Sequence, residues 1–212
     1  MMECVIPKQN CVNVYDEIAQ HFNNTRIYQW SWVSEFLKSI KKGSVVYDIG
    51  CGNGRNMNSV HLKMYGIDSC KEFIKMCLHK GLNVTESCMT CLPFSTESAD
   101  AIICIASFHH LETKKKRVDA LNEMKRVLVN NGTILISVWS IHQPEKTRRK
   151  FYNYGNTIVP WNFRGKIFER FYYIFQIDEF TLLCEEVGLN IVNHVYDCGN
   201  EVFYLKKKFV PT

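Results

Sequence analysis

The chemistry this chain could perform is concentrated in a few short stretches. Asp48-Ile-Gly-Cys-Gly-Asn-Gly54 places three glycines at alternate positions behind an apolar run. Glycines so spaced let the backbone turn sharply and leave room for a ligand against it. The spacing is Gly-x-Gly-x-Gly. It is not the Gly-x-Gly-x-x-Gly of a dinucleotide site, and no Gly-x-x-x-x-Gly-Lys-Ser/Thr loop is present, so it does not read as a phosphate cradle. The motif is expected to close a first strand and open a helix. Asp68 ends a second apolar run, Met64-Tyr-Gly-Ile-Asp68. An acid at that place can accept two hydrogen bonds from a ribose diol.

Cys88-Met-Thr-Cys91 has the spacing of a metal-ligand pair, but a zinc site needs about four ligands and no second pair follows, so no metal is expected. The ten cysteines are scattered, and several, such as Cys104 and Cys184, fall inside apolar runs. That pattern fits buried thiols in a reducing compartment, cytoplasmic or nuclear, better than a disulfide framework. Two adjacent histidines, His109 and His110, follow the most apolar run of the chain.

The elements that must position these groups alternate. Strands are expected at 44–48, 64–68, 82–86 (weaker and more polar), 99–107 and 133–139. Residues 191–196 and 201–205 flank the turn-rich Asp197-Cys-Gly-Asn200 and predict a hairpin. Helical spacing of apolar residues marks Trp32–Ile40, the Val118–Leu128 stretch and Phe180–Val187. The expected fold is therefore α/β: a mostly parallel sheet with helices on both faces and an antiparallel C-terminal hairpin strand. One domain over 1–212 is expected. It comprises a helical N-terminal segment (13–40), a ligand-binding core (44–139), a segment (140–175) that breaks the rhythm, and a C-terminal helix and hairpin (176–208). The apolar run 101–108 is far too short to span a bilayer, and the N-terminus does not read as a secretory signal.

The net charge of +5 permits a polyanionic partner without demanding one. The excess has a location: seven basic and two acidic residues lie between Glu145 and Arg170, interleaved with aromatics. Lys146, Arg148, Arg149, Lys150, Arg164 and Lys166, with Lys114 and Lys115 nearer the histidines, form a candidate RNA-backbone surface; the plain alternative is a solvated face.

The order of Asp48, the glycine loop and Asp68 resembles the class I S-adenosylmethionine-dependent methyltransferases, which implies a Rossmann-like seven-stranded sheet. In that likeness Asp48, Gly50, Cys51, Gly52 and Ala106 surround the methyl donor, Asp48 facing its amino group, and Asp68 holds the ribose hydroxyls. Cys88 stands where many such enzymes carry an Asp for the adenine amine, so adenine contacts fall to the backbone around Met89. A narrower likeness rests on Val14-Tyr-Asp-Glu-Ile-Ala19, Thr25-Arg26, Ile105-Ala-Ser-Phe-His-His-Leu111, Ser137-Val-Trp-Ser140, Val159-Pro-Trp161 and Glu169-Arg-Phe-Tyr-Tyr173. Over residues 14–208 these resemble the eukaryotic tRNA wobble-uridine carboxymethyl methyltransferases.

That resemblance implies methylation of the carboxylate of 5-carboxymethyluridine in the tRNA anticodon loop. It also implies a small zinc-binding activator subunit on a sheet edge, which the polar strand at 82–86 would suit. A carboxylate is ionised at pH 7, so the site needs an anion grip and in-line placement rather than a strong base. Arg26, His109, His110 and Arg170 are the candidates for that grip, and Trp139 and Trp161 for stacking or walling the pocket. A small-molecule methyltransferase and a catalytically silent binding module of the same fold are the competing readings.

Overall fold

The computed structural model describes residues 11–147 and 149–208. Five strands rich in β-branched residues run parallel: Val45–Ile49 (β1), Lys63–Asp68 (β2), Val84–Glu86 (β3), Ala99–Ile105 (β4) and Leu128–Trp139 (β5). Leu189–Asp197 (β8) and Asn200–Lys207 (β9) form the expected C-terminal hairpin, and β9 lies antiparallel beside β5. The order is β3-β2-β1-β4-β5-β9-β8, so the strand sequence reverses between β1 and β4. In an open α/β sheet that reversal opens a crevice at the carboxyl ends of the strands.

Successive residues of a strand face opposite sides, and the two faces bury separate cores. One joins Tyr47, Ile102, Ile134 and Ile136 to the helices Lys114–Val127 (α4) and Ile177–Glu186 (α5) through Leu121, Met124, Phe180 and Leu183. The other joins Val46, Ile103 and Leu135 to Val33, Phe36 and Leu37 of Ser31–Ser39 (α2). Cys104 and Cys184 are buried in the first core.

One expectation is corrected, and two segments gain detail. The glycine loop opens no helix: residues 50–62 run from β1 to β2 through turns alone. Only Arg55–Leu62 remains before β2, and Asn56, Asn58 and Ser59 in it compete with helical backbone bonds. Met57 drops into the second core instead. The N-terminal segment is two helices, Cys11–Thr25 (α1) and α2, separated by residues 26–30; α1 packs on Lys71–His79 (α3) through Ala19, Tyr15 and Phe22 against Phe73. The rhythm-breaking segment contains a two-stranded antiparallel hairpin, Gly155–Phe163 (β6) and Lys166–Ile174 (β7). Its turn puts Arg164 (φ 52°) and Gly165 (φ 76°) in the left-handed region, the backbone that two-residue hairpin turns require. Val159, Tyr172 and Ile174 close it onto Trp139 at the end of β5.

Candidate active site

Residues from the carboxyl ends of β1, β2 and β4, from α1 and from the β6–β7 hairpin line one cavity of about 500 Å³. Its floor is the glycine loop. Gly50 (φ 78°) sits so close to Ser107 that a Cβ would lie 2.5 Å from that side chain, whereas a Cβ on Gly52 (φ 54°) would meet nothing within 4 Å. Asp68 fastens the loop: its carboxylate accepts from the Gly52 amide at 2.8 Å and the Cys70 amide at 2.9 Å. Burial pushes its pKa up, against the pull of those amides. Asp48 is wholly buried, and neither carboxylate oxygen has a hydrogen-bond partner among the described residues. Burial raises it to about 7, with Arg55 opposing the rise. A buried carboxyl with no donor leaves a desolvation cost that an incoming ammonium would offset.

Asp48 lies behind the cavity lining; the other expected donor-side residues line it, in unequal ways. Cys51 contributes backbone; its amide donates to the Ile67 carbonyl at 2.9 Å, and its thiol turns beneath the loop to Cys77. Ala106 holds a left-handed backbone (φ 53°), a strained state for a non-glycine residue, fixed because its amide donates to the Ser137 carbonyl and hydroxyl, both at 3.0 Å. Met89 borders the cavity beside Gly50. Cys88 meets the Thr90 hydroxyl at 2.9 Å, and no metal-holding cluster of His, Cys, Asp or Glu occurs among the described residues.

The opposite wall is cationic. Arg26 reaches it because Asn53, inside the glycine motif, donates to both the Arg26 carbonyl and Asn23 Oδ1 at 3.0 Å. Arg170 comes from β7, and its guanidinium lies 4.7 Å from the Trp161 ring centroid. Arg149 lies 4.1 Å over Trp139, whose ring stacks on Tyr172 at 4.1 Å and 9°. Burial lowers the pKa of both Arg26 and Arg149, and Arg170 adds to the effect on each. Among the described residues no carboxylate forms an ion pair with any of the three. Nε of Arg170 is buried without a hydrogen-bond partner among the described residues.

The two histidines separate. His109 is fully buried and outside the cavity lining; its Nδ1 accepts from the Trp139 amide at 3.1 Å, which pins the end of β5. Burial holds it well below the ordinary histidine range. His110 lines the cavity, and burial lowers it to about 4. As a neutral ring it donates from Nδ1 to the Phe171 carbonyl (2.8 Å) and accepts at Nε2 from the Tyr15 hydroxyl (3.1 Å). Tyr15 then accepts from Tyr172 (3.2 Å), which accepts from Arg170 (2.9 Å). The chain of bonds fixes every donor in one direction.

Several expected residues lie elsewhere. Arg149 was expected on the RNA surface, but burial and its stacking on Trp139 place it inside the cavity. Arg148 lies outside the described residues. Lys114 and Lys115 stay on the exposed face of α4, paired with Glu186 and Asp119, both at 2.7 Å. Lys146 and Lys150 are exposed, as are Arg164 and Lys166 at the hairpin turn. Trp161 backs Arg26 and Arg170 and donates to His21 at 3.1 Å, without lining the cavity. Sequence reasoning missed Tyr15, Asn53, Arg55 and Tyr172. Asn53 carried a local signal, its place inside the glycine motif, and Tyr15 and Tyr172 lay in segments quoted for the family likeness without being singled out.

Residues 47–136 match the family model described as a methyltransferase domain. A tRNA (carboxymethyluridine(34)-5-O)-methyltransferase of Schizosaccharomyces pombe is 32% identical over 222 residues, covering 94% of this chain and 96% of its own length. A protein of the same description from Xenopus tropicalis is 28% identical across 92% of this chain, which spans 40% of that longer relative. Among solved structures, an S-adenosylmethionine-dependent methyltransferase of Clostridium acetobutylicum superposes with a TM-score of 0.68 at 13% identity, covering 94% of this chain and 100% of its own. A Haloferax volcanii methyltransferase solved in complex with the Trm112 methyltransferase activator superposes with a TM-score of 0.68 at 13% identity, over 95% of this chain and 99% of its own.

Proposed function

The chain belongs to the family of tRNA (carboxymethyluridine(34)-5-O)-methyltransferases, and from that premise we propose that it esterifies the carboxylate of 5-carboxymethyluridine at the tRNA wobble position. The observation that carries the reading is one cavity lined on the glycine-loop side by Asp68, with the wholly buried Asp48 behind it, and on the other side by three guanidiniums that form no ion pair with a carboxylate among the described residues. The first set suits a cationic donor and the second an anionic acceptor.

The residues present fit S-adenosylmethionine. Gly52 leaves open space against the loop, Asp48 has two unsatisfied oxygens for the ammonium, and Asp68 keeps lone pairs for a ribose diol beyond the two amides it already accepts. When bound, that cofactor supplies an electrophilic methyl on sulfur. The protein's own part is placement. Arg26 and Arg170 grip one carboxylate oxygen by charge-assisted bonds and leave the other to attack, and the unpartnered Nε of Arg170 is a ready donor. No base is required, since the acceptor is already ionised. His110 agrees with this: with both ring nitrogens engaged it orients Tyr15 and, through Tyr172, Arg170. Trp139 and Tyr172, stacked, wall the pocket from water.

The exposed Lys146, Lys150, Arg164 and Lys166 suit phosphate contacts along the anticodon arm. An activator subunit of the zinc-binding kind suits the β3 edge. β3 is only three residues long, and beside it a cleft of about 280 Å³ is lined by Tyr65, Leu78, Leu82, Val84 and Phe94. The free thiols among the described cysteines support the reading of a reducing compartment, cytoplasm or nucleus. The test is transfer from radiolabelled S-adenosylmethionine to tRNA bearing 5-carboxymethyluridine, with and without a co-expressed activator. Base-labile label in the anticodon is the expected product. Donor binding with no transfer in the presence of the activator would refute the acceptor assignment and move the search to small carboxylates.

A further inference from the structure

Residues 26–30, between α1 and α2, carry two large side chains that the core does not take: Tyr28 is 86% exposed and Ile27 68%. Both stand at the cavity mouth. The segment is tied down at both ends. Asn53 holds the Arg26 carbonyl at 3.0 Å, and Gln29 donates to the Asn56 carbonyl at 3.5 Å. Next to it the Arg55 guanidinium lies 4.1 Å over Trp30, which stacks on Trp32. Neither Arg26 nor Arg55 has an ion pair among the described residues, whereas Glu112, at the same mouth, is already paired with Lys116 at 3.1 Å. A tethered, exposed aromatic beside unneutralised guanidiniums complements an unstacked base and its phosphates. A membrane would want a broader apolar face, and a protein partner would leave those cations without counter-charge.

We infer that Tyr28 is a stacking platform for the nucleobase next to the modified uridine, so that the chain engages a single-stranded loop with the neighbouring base splayed onto this rim. The inference rests on the proposed RNA acceptor but concerns a different nucleotide from the one that reacts. It makes part of RNA recognition independent of sequence, because every base has a face to stack.

The test compares two acceptors with the full chain and its activator: a single-stranded RNA heptamer with 5-carboxymethyluridine at its centre, and 5-carboxymethyluridine monophosphate. Tyr28→Ala is expected to raise KM for the heptamer about tenfold, the scale of one lost base–aromatic stack, with kcat little changed. Tyr28→Trp is expected to restore KM, and neither variant to shift donor affinity. An equal loss on the mononucleotide would overturn the platform, because Tyr28 would then shape the reacting pocket itself. Unchanged KM for the heptamer would also overturn it, as would loss of the co-purifying activator with RNA binding intact. If the unsubstituted protein esterifies neither acceptor, the RNA reading fails first and the platform falls with it.

Discussion

Asp48→Asn separates stability from function in a way that can be measured. In the free protein the Asp48 carboxyl is raised from 3.8 to about 7 by burial. At about 1.36 kcal/mol for each tenfold change in acidity, that corresponds to roughly 4 kcal/mol. The sign follows from proton binding. Between those two values the folded protein holds a proton that the unfolded chain has released, so stability falls as pH rises and levels off above about 7. The isosteric amide removes the titration but carries a pH-independent cost of about 1–3 kcal/mol for its own unpaired group. The slope is therefore the readout. In urea unfolding from pH 5 to 8, the variant should gain on the unsubstituted protein by about 1.4 kcal/mol per pH unit up to about pH 7, then run parallel to it. Donor binding should move the opposite way. Loss of a hydrogen bond between charged groups, about 1.5–3 kcal/mol, weakens Kd for S-adenosylmethionine by roughly 10- to 150-fold near pH 8. The variant should also lose the tightening with pH that ionisation of Asp48 gives. Parallel stability curves across this range, or an unaltered donor Kd, would refute the assignment of Asp48 as a buried acid held for the donor's amine.

Other outcomes follow from the same geometry. With His110 held at about 4, kcat measured from pH 5.5 to 8 should show no histidine inflection; one near 6.5 would mean that the ring titrates during turnover and serves as a base. Arg170→Lys keeps a charge but loses the planar fork and the bond to Tyr172, so kcat/KM for acceptor should fall at least tenfold while donor Kd holds, a loss of about 1.4 kcal/mol or more. Asn53→Ala should lower acceptor turnover by releasing Arg26, with crystallography or arginine side-chain NMR reporting the freed guanidinium. Leu78, 56% exposed beside β3, contributes little to the core; Leu78→Asp should abolish co-purification of an activator and leave the melting temperature of the isolated chain nearly unchanged.

The sheet was legible because its strands are short apolar runs between turn residues; Ile102–Ile105 and Ile134–Ile136 admit few other readings. The hairpin β6–β7 was not. Thr157, Val159, Trp161 and Phe163 alternate with exposed residues, but Pro160 and the surrounding charge masked the period of two. The helix expected after the glycine loop is absent because the short distance to β2, not the motif, decides the matter. Asp68 and Arg26 line the cavity, since each sits where the chain leaves a strand or helix, whereas Asp48 is buried behind it in β1. Charge alone could not locate Arg149, which sequence grouped with its solvated neighbours and folding tucked over Trp139. His109 and His110 were inseparable in sequence; a turn between β4 and α4 sends one ring inward and the other to the cavity.

The helix-free link between β1 and β2 bears on which cofactor the crevice admits. A helix starting at the glycine loop would bring a macrodipole end worth about half a positive charge, together with unpaired amides, the arrangement that captures pyrophosphate. Residues 50–62 bring no helix end; Asp68 lines the same side and Asp48 is buried behind it. A dinucleotide would face these acids with no helix end to draw its phosphates. A sulfonium carrying an ammonium meets no opposing end charge and two carboxyls that favour it. Without that helix, the charge on this side of the crevice is set by side chains, Asp48 and Asp68 against Arg55, rather than by a helix end.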